Sequence, residues 1–297
     1  MKTQSTWATP SFTRGEVDRA GRILSQEHAT ADALALGRAL EVLDNWRSSH
    51  SFPLNTLQML LRSRIKRMGV PGVIVAQRLK RTPSTVAKLR RFTSMKLSRM
   101  QDIGGARAVL PTVSEVDDLR DRYRQQDRRS KHAFVAEKDY IRQPKSSGYR
   151  GVHLVYRYGS SENPAYNGLQ VEIQLRTRLQ HAWATAVEKV GAFLGQSLKS
   201  SEGSQSWLRF FELAGSIFAR EEGSPAAPNV PIDVAMLLAE TRTAARKSRV
   251  AKRLGAFSST LDVVGVQYVP ARGYVLLVLD LTQIHLPSRC GRTPASV

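Results

Sequence analysis

The chain has a single cysteine, Cys290, in 297 residues, which excludes an internal disulfide and any multi-cysteine zinc site. No apolar run approaches the roughly 20 residues that span a bilayer. The polar N-terminus lacks the apolar core of a signal peptide. No internal repeat is present. Acidic side chains are scarce, 25 Asp and Glu against 45 Lys and Arg, for a formal net charge of +20. Together these absences point to a soluble, cytoplasmic chain with no membrane partner.

What is present reads as globular. The apolar fraction of 41% and the length allow one large or two modest domains with ample core. The positive field attracts polyanions such as nucleotides or nucleic acid through a basic surface. A genome that uses Arg freely would give the same excess.

Residues 1–26 are polar and read as irregular. Apolar positions at helical spacing predict a helix over 29–48 and a second from Leu54 to Met68. Thr82-Pro83 marks a helix start, with Thr as cap and Pro at the first helical position. A short buried strand is expected at Ala106–Leu110, then a helix capped by Ser114 with Asp117 as a weak capping box. Strands are expected at His132–Glu137, up to Tyr158 and over Val171–Thr177, and helices over 178–194 and 207–220. Residues 222–229 are a plausible linker. Beyond it, Ile232–Leu254 reads as a basic helix, 263–269 and 274–281 as a hairpin, and the last dozen residues as disordered. The organisation is an N-terminal helical extension (1–54), a sheet-based domain (55–222) and a C-terminal accessory module (231–297). The fold class is α+β.

The candidate chemistry lies between 78 and 177. Alternation over Val171–Thr177 sends Glu172, Gln174 and Arg176 to one face of a strand. On a helix beginning at Pro83, Ser84 and Lys88 lie one turn apart, with Arg78 and Lys80 approaching from an extended segment. Cations beside a helix N-terminus make a phosphate cradle; a solvated basic helix is the plainer alternative. Asp102, just before Gly104-Gly105, has the chemistry to hold Mg²⁺ while the backbone lies close to a ligand, or is an ordinary turn aspartate. Arg107 follows, placed for a base or a phosphate. Glu172 supplies a second carboxylate, or an ion pair on an exposed strand. The run from Lys138 to His153 sets Lys138 and Lys145, an exposed Gly148-Tyr149 pair and His153 on a loop that closes into a strand. Tyr149 would stack on a base, or pack in a core; His153 would serve the site, or be structural. His181 and Trp183 read as packing.

In order and spacing these residues resemble the synthetase domain of RelA/SpoT-type alarmone enzymes, particularly small forms without a hydrolase domain. The resemblance covers roughly residues 55–195. It rests on Arg-x-Lys-x3-Ser-x3-Lys at 78–88, Asp-x3-Ala-Arg at 102–107, Lys-Asp-Tyr-Ile-x2-Pro-Lys-x2-Gly-Tyr at 138–149, His153, and Glu-Ile-Gln-Leu-Arg-Thr at 172–177. It implies a nucleotidyltransferase-like mixed sheet flanked by helices, and transfer of pyrophosphate from ATP to the 3′-hydroxyl of GDP or GTP, with release of AMP. By position, Arg78, Lys80, Ser84, Lys88 and Arg107 would bind ATP. Asp102 and Glu172 would bind Mg²⁺, Glu172 also helping to deprotonate the hydroxyl. Lys138, Lys145 and His153 would contact phosphates, Tyr149 would stack the acceptor base, and Gln174 and Arg176 would support the site.

Ala136, Pro83 and Ser147 depart from frequent family residues and bear on acceptor choice. No adjacent His-Asp pair occurs and few residues precede 55, so synthesis without hydrolysis is expected. Toxin relatives that modify the 3′ end of tRNA are the alternative acceptor reading, which the positive charge would suit. A non-catalytic RNA-binding module is a third. A homo-oligomer or a regulatory protein partner is compatible with all three.

Overall fold

A computed structural model of the chain describes residues 7–26, 32–126, 130–196, 198, 201–250 and 252. The chain divides into two units, Met1–Gln143 with Arg150–Arg178, and Pro144–Tyr149 with Leu179–Val297.

The first unit begins with a helix, α1 (Arg14–Ser25), where an irregular segment was expected. Thr13 and Glu16 close a reciprocal capping box, the Thr13 amide donating to Glu16 Oε2 at 2.8 Å and the Glu16 amide to Thr13 Oγ1 at 3.3 Å. Val17, Ala20, Gly21 and Leu24 give the buried stripe. These small, widely spaced apolar residues hide among charges, which is why the polarity of the segment misleads. Helices α2 (Ala33–Ser49) and α3 (Ser51–Met68) follow, the second ended by Gly69 in the left-handed conformation.

Then come β1 (Ile74–Leu79) and α4 (Thr82–Arg91). Arg81 takes the cap position, so Thr82 is already helical and Pro83 is the second helical residue, one position later than expected. Strand β2 (Gly104–Leu110) precedes α5 (Val113–Gln126). The reciprocal bonds that open α5 join Thr112 and Glu115, two positions before the Ser114–Asp117 pair expected for this role. Strands β3 (Ala133–Asp139), β4 (Val152–Arg157) and β5 (Gln170–Thr177) complete the unit.

The fold is α+β. Its five strands form one mixed sheet in the order β1-β2-β5-β4-β3. Only β2 and β5 run parallel; the other neighbours are antiparallel. One sheet face carries Ala106, Ala108, Leu154, Ile173 and Leu175 into a core with Leu57 and Leu61 of α3 and Leu119 of α5. Because side chains alternate, the other face receives Arg78, Arg107, Lys138, His153, Glu172 and Gln174. A second core joins α1 and α2 to Leu89, Leu97, Tyr158 and Tyr166.

The second unit contains α6 from Leu179 onward (the helix spans Arg178–Phe193), α7 (Gln205–Glu221) and α8 (Val234–Lys247). Trp183 is buried, as expected, and its indole N–H donates to the Phe211 carbonyl at 2.8 Å. Asp233 caps α8 by accepting from the Met236 amide. Helix α8 is shorter than the expected 232–254. The expected hairpin and C-terminal tail lie outside the described residues.

Candidate active site

Strand register assembles the polar sheet face. Arg78, Gly105, Glu172 and Val155 stand in one row across β1, β2, β5 and β4. Ala76, Arg107, Gln174, His153 and Lys138 form the next row across all five strands. A Cβ placed on Gly105 would meet no atom closer than 3.9 Å. The sheet surface between Arg78 and Glu172 is therefore bare, with room for a ligand over the backbone.

Two carboxylates face this surface. Asp102 sits on the turn before β2 and takes Lys80 Nζ on Oδ2 at 2.9 Å and Lys88 Nζ on Oδ1 at 2.8 Å. Burial pushes its carboxyl up, but the two ammoniums prevail and hold it below the usual carboxylate range. Glu172 accepts from His153 Nδ1 on Oε1 at 2.8 Å and from Gln174 Nε2 on Oε2 at 2.5 Å. Arg176 Nη2 donates to Gln174 Oε1 at 2.9 Å, so alternate residues of β5 form a short relay ending on the carboxylate. Burial also opposes ionisation of Glu172, yet the His153 and Gln174 bonds and the charge of Lys88 bring it down to about 2. An ionised Glu172 can only accept, which places a proton on Nδ1 of His153. Lys88 thus bonds one carboxylate and acts electrostatically on the other. That shared cation is the clearest sign that Asp102 and Glu172 converge.

The expected residues are not all in the expected environment. Arg78, Ser84 and Lys138 are exposed, while Lys80, Lys88, Arg107, His153 and Gln174 are half-buried. Lys80 and Lys88 are engaged by Asp102, and His153 by Glu172. Arg176 is buried. Lys145 and Tyr149 belong to the second unit. The Gly148-Tyr149 pair is buried, against the expectation that it is presented to solvent. Tyr149 is 9% exposed, lies edge-on to Trp183 at 6.3 Å, and has Lys145 Nζ 5.4 Å from its ring centroid. Gly148, at φ +84°, is pressed against α7, where a Cβ would come within 3.0 Å of the Phe211 carbonyl oxygen. The backbone of α7, distant in sequence, buries the pair.

Two supporting residues were not among the expected site residues. Tyr140 sets its ring edge-to-face on His153 at 5.3 Å and 88°. Arg47, at the end of α2, donates from Nε to the Lys80 carbonyl at 2.8 Å, and the Lys80 amide bonds the Ile103 carbonyl at 2.8 Å. Both backbone groups of Lys80 are therefore tied down. Tyr140 lies inside a matched motif, so its neighbours could have suggested it. Arg47 looks like any helix-end cation.

A divalent ion fits these groups. Among the described residues no set of three or more His, Cys, Asp or Glu gathers as a complete metal cage. Asp102, bonded to Lys88, and Glu172, which feels the charge of the same lysine, are two carboxylates whose chemistry suits Mg²⁺, which keeps waters and binds through one or two carboxylates plus phosphates.

Residues 77–190 match the model of the region found in RelA / SpoT proteins. The chain is 32% identical over 117 residues to GTP pyrophosphokinase YjbM of Bacillus subtilis, a match covering 39% of this chain and 54% of that protein. The chain thus spans about half the length of the curated relative. A GTP pyrophosphokinase family protein from Streptococcus pneumoniae superposes with a TM-score of 0.50 at 25% identity, over 62% of this chain and 89% of that one. The small alarmone synthetase 1 of B. subtilis, solved bound to its product pppGpp, superposes with a TM-score of 0.51 at 24% identity, over 61% and 92%. The motifs, the mixed sheet that aligns them and these likenesses agree: residues 77–190 are similar to the region found in RelA / SpoT proteins.

Proposed function

We propose that the chain transfers the β,γ-pyrophosphate of ATP to the 3′-hydroxyl of GDP or GTP. The hydroxyl oxygen forms a bond to the β-phosphorus, and the bond from that phosphorus to the α,β-bridging oxygen breaks, releasing AMP. The observation that carries this reading is the carboxylate of Glu172 on a sheet face that also holds Arg78, Arg107 and Lys138, with Asp102, bonded to Lys80 and Lys88, on the turn beside it. Such a reaction asks the protein mainly for alignment and charge neutralisation.

In this reading Arg78, Lys80, Ser84, Lys88 and Arg107 bind the triphosphate and base of ATP. Lys138 neutralises the phosphates on the β3 side. Asp102 and Glu172 would hold Mg²⁺, which neutralises charge on the phosphate oxygens when bound. With its carboxyl near 2, Glu172 is a weak base and serves better to hold a cation than to take the hydroxyl proton. His153 and Gln174 keep both its oxygens aimed. Lys80 and Lys88, which pair with Asp102, are close enough to that carboxylate to turn to phosphate when the nucleotide binds.

The test is incubation of the chain with ATP labelled at the γ-phosphate, plus GDP or GTP. Label should appear in guanosine tetra- or pentaphosphate, with AMP as co-product. Glu172→Gln should lower the rate by on the order of a hundredfold or more, the usual cost of removing one such charged group. Transfer of label to neither nucleotide would overturn the reading.

A further inference from the structure

The second unit encloses a cavity of about 240 Å³ beside the loop that carries Tyr149. Tyr149, Trp183 and Phe211 give it aromatic walls, and Val187 and Leu208 add aliphatic ones. Pockets for whole drug-sized ligands begin at roughly 300 Å³, so this one suits a single flat ring system. The walls are held in place. The Trp183 indole donates to the Phe211 carbonyl at 2.8 Å and meets the Phe211 ring edge-on at 6.3 Å. A Cβ on Gly148 would come within 3.1 Å of Glu212 Cα, so the loop lies directly on the backbone of α7.

Among the described residues that line the cavity, Glu212 is the only acid and Arg209 the only base. Arg209 Nη1 donates to Glu212 Oε2 at 2.9 Å and to the Asn229 carbonyl at 3.1 Å. Its Nε donates to Glu240 Oε1 of α8 at 2.8 Å. A planar guanidinium tied from several sides fixes the carboxylate it touches. Glu212 Oε1 takes no hydrogen bond among the described residues, although the side chain is only 15% exposed. One oxygen is therefore unused, and the other keeps a lone pair. Acceptor capacity held partly out of water costs free energy, which a ligand with two adjacent N–H groups would recover.

Few flat ring systems offer that pair side by side. Guanine does, through N1–H and its 2-amino group. The equivalent edges of adenine and cytosine set an acceptor beside a donor, and uracil flanks its N–H with carbonyls. Hydrogen bonds to such an edge, between aromatic walls, are how a protein reads an unstacked base.

We infer that this cavity receives the base of the acceptor nucleotide and that Glu212, held by Arg209, selects guanine there. The inference rests on the transfer reaction proposed above for the identity of the occupant, and adds the residue that chooses it. Helix α7 lies beyond residues 77–190, the region similar to RelA / SpoT proteins, so the selectivity comes from a part of the chain outside that likeness. Gln174 and Arg176, expected to bind the acceptor, are engaged in the relay to Glu172.

Equilibrium dialysis of the full chain tests this with GDP, inosine diphosphate, xanthosine diphosphate and ADP. Mg²⁺ and an ATP analogue with a methylene α,β-bridge keep the donor site filled and unreactive. Inosine lacks the 2-amino group and should bind about tenfold more weakly than GDP, the cost of one hydrogen bond to a charged group. Xanthosine turns a carbonyl toward Glu212, and adenosine a ring nitrogen; each should bind about a hundredfold or more below GDP. Glu212→Gln keeps the shape and offers an amide N–H to the xanthine carbonyl, so the order of GDP and xanthosine diphosphate should reverse. Glu212→Asp, its carboxylate set back along the side chain, should weaken GDP about tenfold and still prefer it to xanthosine diphosphate. Circular dichroism melts check that each variant folds, and the Asp variant serves where the Gln variant does not. Equal wild-type affinity for GDP and xanthosine diphosphate, an unchanged order in folded Glu212→Gln, undiminished GDP binding by Glu212→Asp, or no GDP binding at all would overturn the inference. Label passing from ATP to GDP in the first three cases would leave the proposed reaction standing, whereas guanine selection without transfer would count against the reaction alone.

Discussion

At the residue scale, the site is a balance of burial against charge. Asp102 and Glu172 are both taken out of water, which would protonate an unaided carboxylate, and both remain ionised because cations and N–H donors face them. For Glu172 the sign has a consequence. Its carboxyl lies at about 2 in the folded chain against an ordinary 4.5, so it stabilises the fold fully above 4.5 and loses that contribution as pH falls through 2. The contribution at neutral pH is on the order of 3 kcal/mol. Denaturant unfolding of wild type and Glu172→Gln at neutral pH and at successively lower pH should show their stability difference shrinking between 4.5 and 2. A difference constant with pH would mean the carboxylate is not held low.

Arg47 supports a second residue-scale prediction. Arg47→Ala unties the Lys80 carbonyl, so acylation of Lys80 by an amine-reactive probe, followed by mass spectrometry, should speed up several-fold. Arg47→Lys, which restores a donor, should partly reverse the effect. Unchanged labelling in Arg47→Ala would show that the bond does not position Lys80.

At the element scale, β2 to β5 were legible, while β1 and the order of the strands were not. Period-two alternation over Val171–Thr177 was enough to put Glu172, Gln174 and Arg176 on one face, and β5 does so. Nothing in the alternation says that Arg107 of β2 and His153 of β4 flank Gln174; strand order and register decide that. Helix α1 shows the opposite failure, since its capping box is written in the sequence but its weak apolar stripe conceals it. Thr13→Ala should cost about 1 kcal/mol, visible as a melting temperature lower by a few degrees. Gly21 carries the sharper prediction. A Cβ there would come within 2.8 Å of Leu97 Cβ, so Gly21→Ala should destabilise by about 1–3 kcal/mol despite the better helix propensity of alanine. A stabilised Gly21→Ala would show that α1 and the 97–99 turn can move apart freely.

At the scale of the whole molecule, charge is distributed by location. Acids are concentrated around α5 and β3, where they neutralise arginines, and are missing from the long segment that forms α3, β1 and α4. The net charge of +20 is compatible with a polyanion or with free use of arginine, and by itself says nothing of place. Lys145 and Tyr149 fall in the second unit, and the sheet residues that the motifs group with them fall in the first.

By itself the sequence determined the chemistry available: two isolated carboxylates, the cations at motif spacing, and the alternation that turns β5 polar on one side and apolar on the other. Those properties are local, set by residue type and backbone period. The tertiary structure alone decided which groups meet. Pairing of β1 with β2 and of β2 with β5 carries Lys80 and Asp102 to the strand that bears Glu172, and α4 brings Lys88 onto Asp102 with its charge felt at Glu172. Burial by α7 likewise made Tyr149 a packed ring, because contacts between residues far apart in the chain are energetically real only once the backbone has closed the distance.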